Sequence, residues 1–290
     1  MKILGAGDNV VDRYVNLGIE FPGGNAVNVA AFAQRLGGQA SYMGVIGNDP
    51  SGQFLLNSLR REGVGVEHCR VASGKNAFAE VEIINRDRVF VHSEANVANE
   101  VPNDSHFDVM SDFDIVHCGY AGTYGPFVEQ MARKAKVSYD FGSEGKFSID
   151  SPELRSMLPH LYLAAFSGSH LDIDGAERLA RSAIDGGATN VIVTRGSAGA
   201  FFMSRAQSVW QGAEEIDAVD SLGAGDAFIA SVLVGLLSGR RTKDILASAS
   251  SHAAQVCMRH GAFGVGREYA MPSRRESNDT EATTLKAGNA

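Results

Sequence analysis

The chain is short of cysteine, of long apolar runs and of clustered basic residues, and each shortage closes off a class of protein. Its three cysteines, Cys69, Cys118 and Cys257, are odd in number, far apart and outside any C-x-x-C spacing. That pattern builds neither a disulfide framework nor a zinc site, and buried free thiols in a reducing compartment account for it better. The longest apolar stretch, Ala227 to Leu237, is interrupted by Ser231 and Gly235 and is far shorter than the ~20 residues a membrane-spanning helix needs. Asp8, Asp12 and Arg13 would fall inside the apolar core of any ordinary signal peptide. Lys and Arg number 26 against 34 acids, for a net charge of −8. The basic residues are scattered, whereas nucleic-acid binding draws on clustered ones. The expectation is a soluble, cytoplasmic protein with neither nucleic acid nor membrane as a partner. Its 290 residues suit one large α/β domain, alone or with a small appendage, and no internal repeat is present.

What the chain does have is Asp220-Ser221-Leu222-Gly223-Ala224-Gly225-Asp226-Ala227-Phe228, running directly into that apolar segment. Two glycines and an alanine let the backbone turn tightly, and the helix that follows adds its unpaired N–H groups and the positive end of its dipole. The result is an anion cradle with a carboxylate, Asp226, at its mouth, where a base could take a proton from a hydroxyl. Phosphoryl transfer needs both parts, because the moving group carries spread negative charge while the attacking alcohol loses a proton. Taken alone, Gly-Ala-Gly-Asp reads more simply as a loop with Asp226 as an N-cap or first-turn acid.

A second motif changes that balance. Gly23-Gly24-Asn25-Ala26-Val27-Asn28-Val29-Ala30 is followed by Gly37, Gly44 and Gly47. Together the two stretches resemble the signatures of the ribokinase-like (PfkB) carbohydrate kinases, whose C-terminal motif usually has Thr where Ser221 stands. The resemblance runs from Lys2 to Gly264 and implies an ATP-dependent kinase that uses Mg²⁺, with a monovalent cation also compatible. It implies Asp226 as general base, with Gly223, Ala224 and Gly225 as the anion hole. Thr194, Gly196 and Gly199 would meet the nucleotide phosphates. Asp12, Gly24 and Asn28 would contact the phosphoryl acceptor, and Asn25 offers it a further amide.

Two departures stand out. The family usually carries Asp-x-Asn followed by Arg where this chain reads Asp140-Phe141-Gly142-Ser143-Glu144-Gly145, and often Asn-x-x-Glu where it reads Ser167-Gly168-Ser169-His170. Only Asp140 carries over, so the metal-positioning residues are unassigned, and magnesium is expected to be held mainly by phosphate oxygens and water. A sugar- or nucleotide-binding regulator without turnover is the alternative this motivates; the intact Gly-Ala-Gly-Asp argues against it.

Within the family, Gly7 to Tyr14, Gly23 to Ala30 and Asp87-Arg88-Val89-Phe90 resemble kinases of fructosamino acids such as fructoselysine, implying phosphorylation of the 6-hydroxyl. Such a substrate carries an ammonium and a carboxylate. Arg88 could pair with the carboxylate and Glu94 with the ammonium, or both are solvated charges at strand ends. A ribokinase- or fructokinase-like enzyme acting on a free sugar is the other reading of substrate.

The fold expected is a doubly wound, mostly parallel sheet with a small inserted β lid, occupying residues 1–272. Lys2 to Gly7 reads as a buried strand with Asp8 and Asp12 beyond its C-terminal end. A helix follows from Ala26 to Leu36, a strand from Ser41 to Ile46, and a helix from Asn48-Asp49-Pro50 through Arg61. Ala77 to Ile84 and Val89 to Val91 read as a hairpin: by resemblance the core of a lid at about 71–94 and a possible homodimer surface, otherwise a continuation of the main sheet. Strands are expected at Asp114 to Cys118, Val137 to Asp140, Leu161 to Phe166, Asn190 to Thr194, Ala200 to Met203 and Ser208 to Gln211. Helices are expected at Gly125 to Lys136, Gly175 to Ala183 and Thr242 to His260, the last with Thr242 as N-cap. Residues 273–290 read as a disordered polar tail.

Overall fold

The computed structural model describes residues 1–84, 87–143 and 149–269. The tail expected at 273–290 lies outside the described residues, as do Glu144 and Gly145 at the end of the stretch after Asp140 that departs from the family pattern.

The chain opens with β1 (Lys2–Ala6), β2 (Val10–Tyr14) and β3 (Ile19–Gly23) and continues through α1 (Asn25–Arg35), β4 (Gln39–Gly47), α2 (Pro50–Arg61) and β5 (Gly65–Ala72). A hairpin of β6 (Phe78–Ile84) and β7 (Asp87–Glu94) precedes α3 (Asp104–Met110), β8 (Ile115–Gly119), α4 (Val128–Ala132) and β9 (Lys136–Ser143). Next come α5 (Pro152–Met157), β10 (Leu163–Ser167), α6 (Ile173–Asp185), β11 (Asn190–Thr194), β12 (Ala200–Ser204) and β13 (Ser208–Gln211). The described chain closes with α7 (Ala224–Leu237), α8 (Thr242–Cys257) and β14 (Arg267–Glu268).

Nine strands form the main sheet in the order β13-β12-β11-β10-β9-β8-β1-β4-β5. The strands from β11 to β5 are parallel to one another, and the β12–β13 hairpin is added antiparallel at the edge. Parallel strands covered on both faces read as near-continuous apolar runs, and alternate residues serve different layers. Ile3, Ala165 and Ile192 join a core built with α1, α2, α7 and α8. Their neighbours Leu4, Ala164, Phe166, Val191 and Val193 join a second core with α3, α4, α5 and α6. The sheet is therefore doubly wound, and its strand order reverses between β1 and β8. In such sheets the crevice beyond the carboxyl ends of the strands at that reversal is where ligands bind.

A second sheet, in the order β14-β3-β2-β6-β7, stands beside the first. The hairpin at 78–94 thus does not continue the main sheet. The lid expectation needs two adjustments: Val71 and Ala72 belong to β5 of the main sheet, and β2, β3 and β14 come from outside 71–94. Asp12, Arg13 and Glu20 hid β2 and β3 by interrupting the apolar pattern. Glu20 is buried only because Arg13 and Arg267 reach its carboxylate at 3.4 and 2.7 Å, since a charge leaves water at acceptable cost only when paired.

Two helix expectations also change. Of the span from Gly125 to Lys136, only Val128–Ala132 is α-helical, because Gly125–Phe127 winds as a 3₁₀ turn and β9 already begins at Lys136. Thr242 is the first helical residue and not the N-cap, which is Arg241; its hydroxyl instead accepts from Gln207 Nε2 at 2.7 Å. That helix ends at Cys257, short of His260, and the Cys257 carbonyl accepts from the N–H groups of Val219 and Asp220 at 2.8 and 3.2 Å.

Candidate active site

Two helix N-termini converge on the carboxyl ends of β1, β8 and β9. At α1 the N-cap is Gly24, with φ of 107° and no side chain to cap with. The cap comes from elsewhere: Asp8, just past β1, accepts from Asn25 N at 2.7 Å and Ala26 N at 3.3 Å. Burial raises the Asp8 carboxyl above its ordinary range, and those backbone bonds oppose the rise. Gly24 carries no Cβ because one would approach Asn9 Cα to 2.7 Å.

At α7 the N-cap is Gly223 in the left-handed region, φ 79°, with no side-chain cap. A Cβ there would collide with Ala262. The first-turn N–H groups, including those of Gly225 and Asp226, therefore face outward with only the helix dipole behind them, and a Cβ on Gly225 would meet nothing within 4 Å. Upstream, Asp220 anchors the turn: its carboxylate accepts from Leu222 N and Gly261 N at 3.0 Å each and from the Tyr14 hydroxyl on β2. The second sheet is thereby tied directly to the base of the anion cradle.

Asp226 lies in the first turn of α7 and is bracketed by amides. Asn25 Nδ2 reaches its Oδ1 at 2.7 Å and Asn28 Nδ2 its Oδ2 at 2.7 Å. The same Asn25 nitrogen donates to Asp140 Oδ2 at 2.9 Å, while Asp140 Oδ1 accepts from Gly142 N at 2.8 Å. Burial pushes the Asp226 carboxyl up to about 7, helped by the Asp140 charge and opposed by the Asn28 and Asn25 amides. Burial likewise raises Asp140 to about 6, opposed by the Gly142 N–H and reinforced by Asp8.

The residues expected to touch substrate divide. Asn28 donates to Asp226, and its own Oδ1 is buried without a partner. Asn9, not singled out beforehand, has the same property: its nitrogen is held by Tyr42 and Val45 while Oδ1 is an unpartnered acceptor. Asp12 sits in β2, 3 % exposed, against Gly23. Asn25, by contrast, spends both N–H bonds on carboxylates and its oxygen on His117 Nε2 at 2.9 Å. Glu94 ends β7, exposed and 3.2 Å from His92 Nε2, a bond that holds its carboxyl below the usual range. In the strand register Phe78 pairs with Glu94 and Ala79 with Asp12, so Glu94 and Asp12 point to opposite faces of the sheet. The Arg88 side chain lies outside the described residues.

Of the residues expected to meet the nucleotide, Thr194 ends β11, and in the 3₁₀ turn that follows Gly196 is the first residue and Gly199 the C-cap. Thr194, Ser167, Asp140 and Gly225 line one small cavity, so the phosphate-contact candidates and the carboxylates are adjacent. His170 is exposed in the turn after β10. No group of three acids, histidines or cysteines able to hold a metal occurs among the described residues.

Sequence reading passed over His117 and Ser138 altogether. The signal was present as single polar residues inside the buried strands Ile115-Val116-His117-Cys118 and Val137-Ser138-Tyr139.

The description "pfkB family carbohydrate kinase" matches residues 18–265. Over 285 residues the chain is 34 % identical to the fructosamine kinase FrlD of Bacillus subtilis, covering 97 % of this chain and 99 % of the relative. It is 33 % identical to the fructoselysine 6-kinase of Escherichia coli K12, covering 91 % and 100 %. Among solved structures, the Arabidopsis thaliana ribokinase complexed with ribose and ATP superposes with a TM-score of 0.73 at 17 % identity, over 90 % of this chain and 93 % of that one. The fold is ribokinase-like.

Proposed function

The chain belongs to the PfkB family of carbohydrate kinases and is an ATP-dependent kinase, and from that premise we propose that it phosphorylates the 6-hydroxyl of a fructosamino acid such as fructoselysine. The observation that carries the chemistry is the Asp226 carboxylate, bracketed by two amides in the first turn of an uncapped helix. A base raised to about 7 is matched to neutral pH, where it is available in its charged form and still binds a proton well. As Asp226 takes the hydroxyl proton, the N–H groups of Gly223 and Gly225 face the charge on the transferring phosphoryl group, whereas the Ala224 N–H is already given to the Ser221 carbonyl at 3.3 Å. Thr194, Gly196 and Gly199 hold the nucleotide phosphates, and Mg²⁺ arriving on those phosphates would supply neutralising charge for the transfer.

The substrate assignment rests on two supports. Relatives named as fructosamine or fructoselysine kinases match at 33–35 % identity along nearly their whole length, against 25 and 29 % for two fructokinases. The site also holds acceptors: the unpartnered oxygens of Asn9 and Asn28 call for donors, which hydroxyls and a secondary ammonium supply. Asp8, Asp140 and Asp226 favour a cationic acceptor over an anionic one.

A second copy of the chain fits the second sheet: β7 is its edge strand, with Val89 and Val91 exposed, and unpaired strand edges invite pairing. The test of substrate is kcat/KM for fructoselysine against fructose and ribose by coupled ADP release, in wild type and Arg88→Ala. Preference for fructoselysine is expected. Preference for a free sugar overturns the substrate, and an unchanged preference in the variant removes Arg88 from recognition.

A further inference from the structure

Behind Asn25 runs a buried line of side chains that the phosphoryl-transfer reading leaves unused. His117 on β8 is fully buried; its Nδ1 lies 3.0 Å from Ser138 Oγ on β9 and its Nε2 2.9 Å from Asn25 Oδ1. The directions follow from valence. Both N–H bonds of Asn25 go to carboxylates, so its oxygen can only accept, His117 Nε2 must carry the proton, and Nδ1 must accept from the Ser138 hydroxyl. Donation then passes one way, from Ser138 to His117 to Asn25 and on to Asp140 and Asp226.

We propose that His117 is a positioning residue for the catalytic base: its Nε2–H locks the Asn25 amide with nitrogen, not oxygen, toward Asp226 and Asp140. The proposal rests on reading Asp226 as that base. An amide is nearly symmetric in shape, and a flip would set its oxygen against two carboxylates, replacing two attractive contacts by repulsive ones. Donation to the charged carboxylate favours that form. The charged groups that face Asp226 are Asp140 from β9 and Asp8 from the turn after β1, and both oppose ionisation. The Asn25 and Asn28 amides therefore carry the opposing effect. His117 itself, buried without an acid beside it, is held down to about 3 and stays neutral through the working range.

The test is a ¹³C carboxyl NMR titration of Asp226, assigned with Asp226→Asn, in wild type, His117→Leu and His117→Gln, alongside kcat against pH and KM for ATP. Leu removes the donor to Asn25, and Gln restores one. In His117→Leu the Asp226 titration and the acid limb of kcat should both move to higher pH by about one unit, a tenfold change in proton affinity. KM for ATP should hold within about threefold, since uniform nucleotide binding is untouched, and Gln should return both midpoints toward wild type. A folded Leu variant with an unmoved Asp226 titration overturns the proposal, as does equal loss in Leu and Gln at every pH. Should the Leu variant fail to fold, Ser138→Ala carries the same test, because losing the donor to Nδ1 frees the tautomer; no movement there overturns the proposal. If the titration moves while the acid limb of kcat does not, the link to Asp226 stands and the base assignment falls.

Discussion

The carboxylates of Asp140 and Asp226, one from β9 and the other from the first turn of α7, share a single donor, Asn25 Nδ2, at 2.9 and 2.7 Å. Burial raises both acids, to about 6 and about 7, the Asp140 charge adds to the rise at Asp226, and the shared amide opposes it at each. With Asp226 raised to about 7, its carboxyl passes from holding a proton to releasing it near neutral pH.

Asp226→Asn keeps the size and most hydrogen bonding of the side chain but removes the base, so kcat should fall by at least ~10²- to 10⁴-fold. Near-normal turnover in the purified variant would take Asp226 out of the mechanism.

The same substitution has an opposite effect on stability. The folded carboxyl is raised above its ordinary 3.8, so between that value and about 7 the folded state holds more protons than the unfolded one. Its stability contribution is complete below the unfolded value and is lost as pH rises through the folded one. Relative to wild type, Asp226→Asn should therefore gain Tm on going from about pH 5 to about pH 8. Thermal scans with a pH-independent difference would contradict this.

Asp8 raises both acids while capping α1. Asp8→Asn keeps an acceptor for the cap and removes the charge. The acid limb of kcat should shift to lower pH, with a stability cost of about 1 kcal/mol from the weakened cap. A pH–rate profile that shifts upward would show that the charge is not what matters there.

Tyr14→Phe leaves the buried Asp220 carboxylate with the N–H groups of Leu222 and Gly261 but without the phenol. Losing one partner of a buried charged group should cost about 1–3 kcal/mol in chemical denaturation. Since Asp220 anchors the turn before Gly223, kcat should fall as well; unchanged unfolding and kcat would mean that the second sheet does not brace the cradle.

Gly223→Ala sets a Cβ on left-handed backbone and into Ala262. The start of α7 must move, and kcat should drop by about 10²- to 10³-fold, the usual effect of losing an aimed N–H donor. Wild-type kcat in a folded variant would place the phosphoryl charge elsewhere.

Local chemistry made much of this protein legible in its sequence. Asn190–Thr194 and Ser208–Gln211 are strands with the expected bounds, because short apolar or alternating runs between turn residues leave the backbone little choice. The starts of α1 and α7 were marked by glycines, and the cradle with its acid by Gly-Ala-Gly-Asp. What only the tertiary structure decided is which side chains meet. Asn25 is 115 residues from Asp140 and 201 from Asp226, and nothing local could show that its amide is spent on both rather than offered to a sugar. Charge and place at the end of a lid strand left Glu94 open as a partner for a substrate ammonium or as a solvated charge, whereas cross-strand register, set by pairing with β6, turns it to the face away from Asp12. His117 looked like one polar residue in an apolar strand; its neighbours across the sheet and at the tip of α1 supply the partners. Backbone conformation is chosen mainly within a few residues, but the direction of a buried hydrogen bond is chosen by groups that only the folded chain brings together.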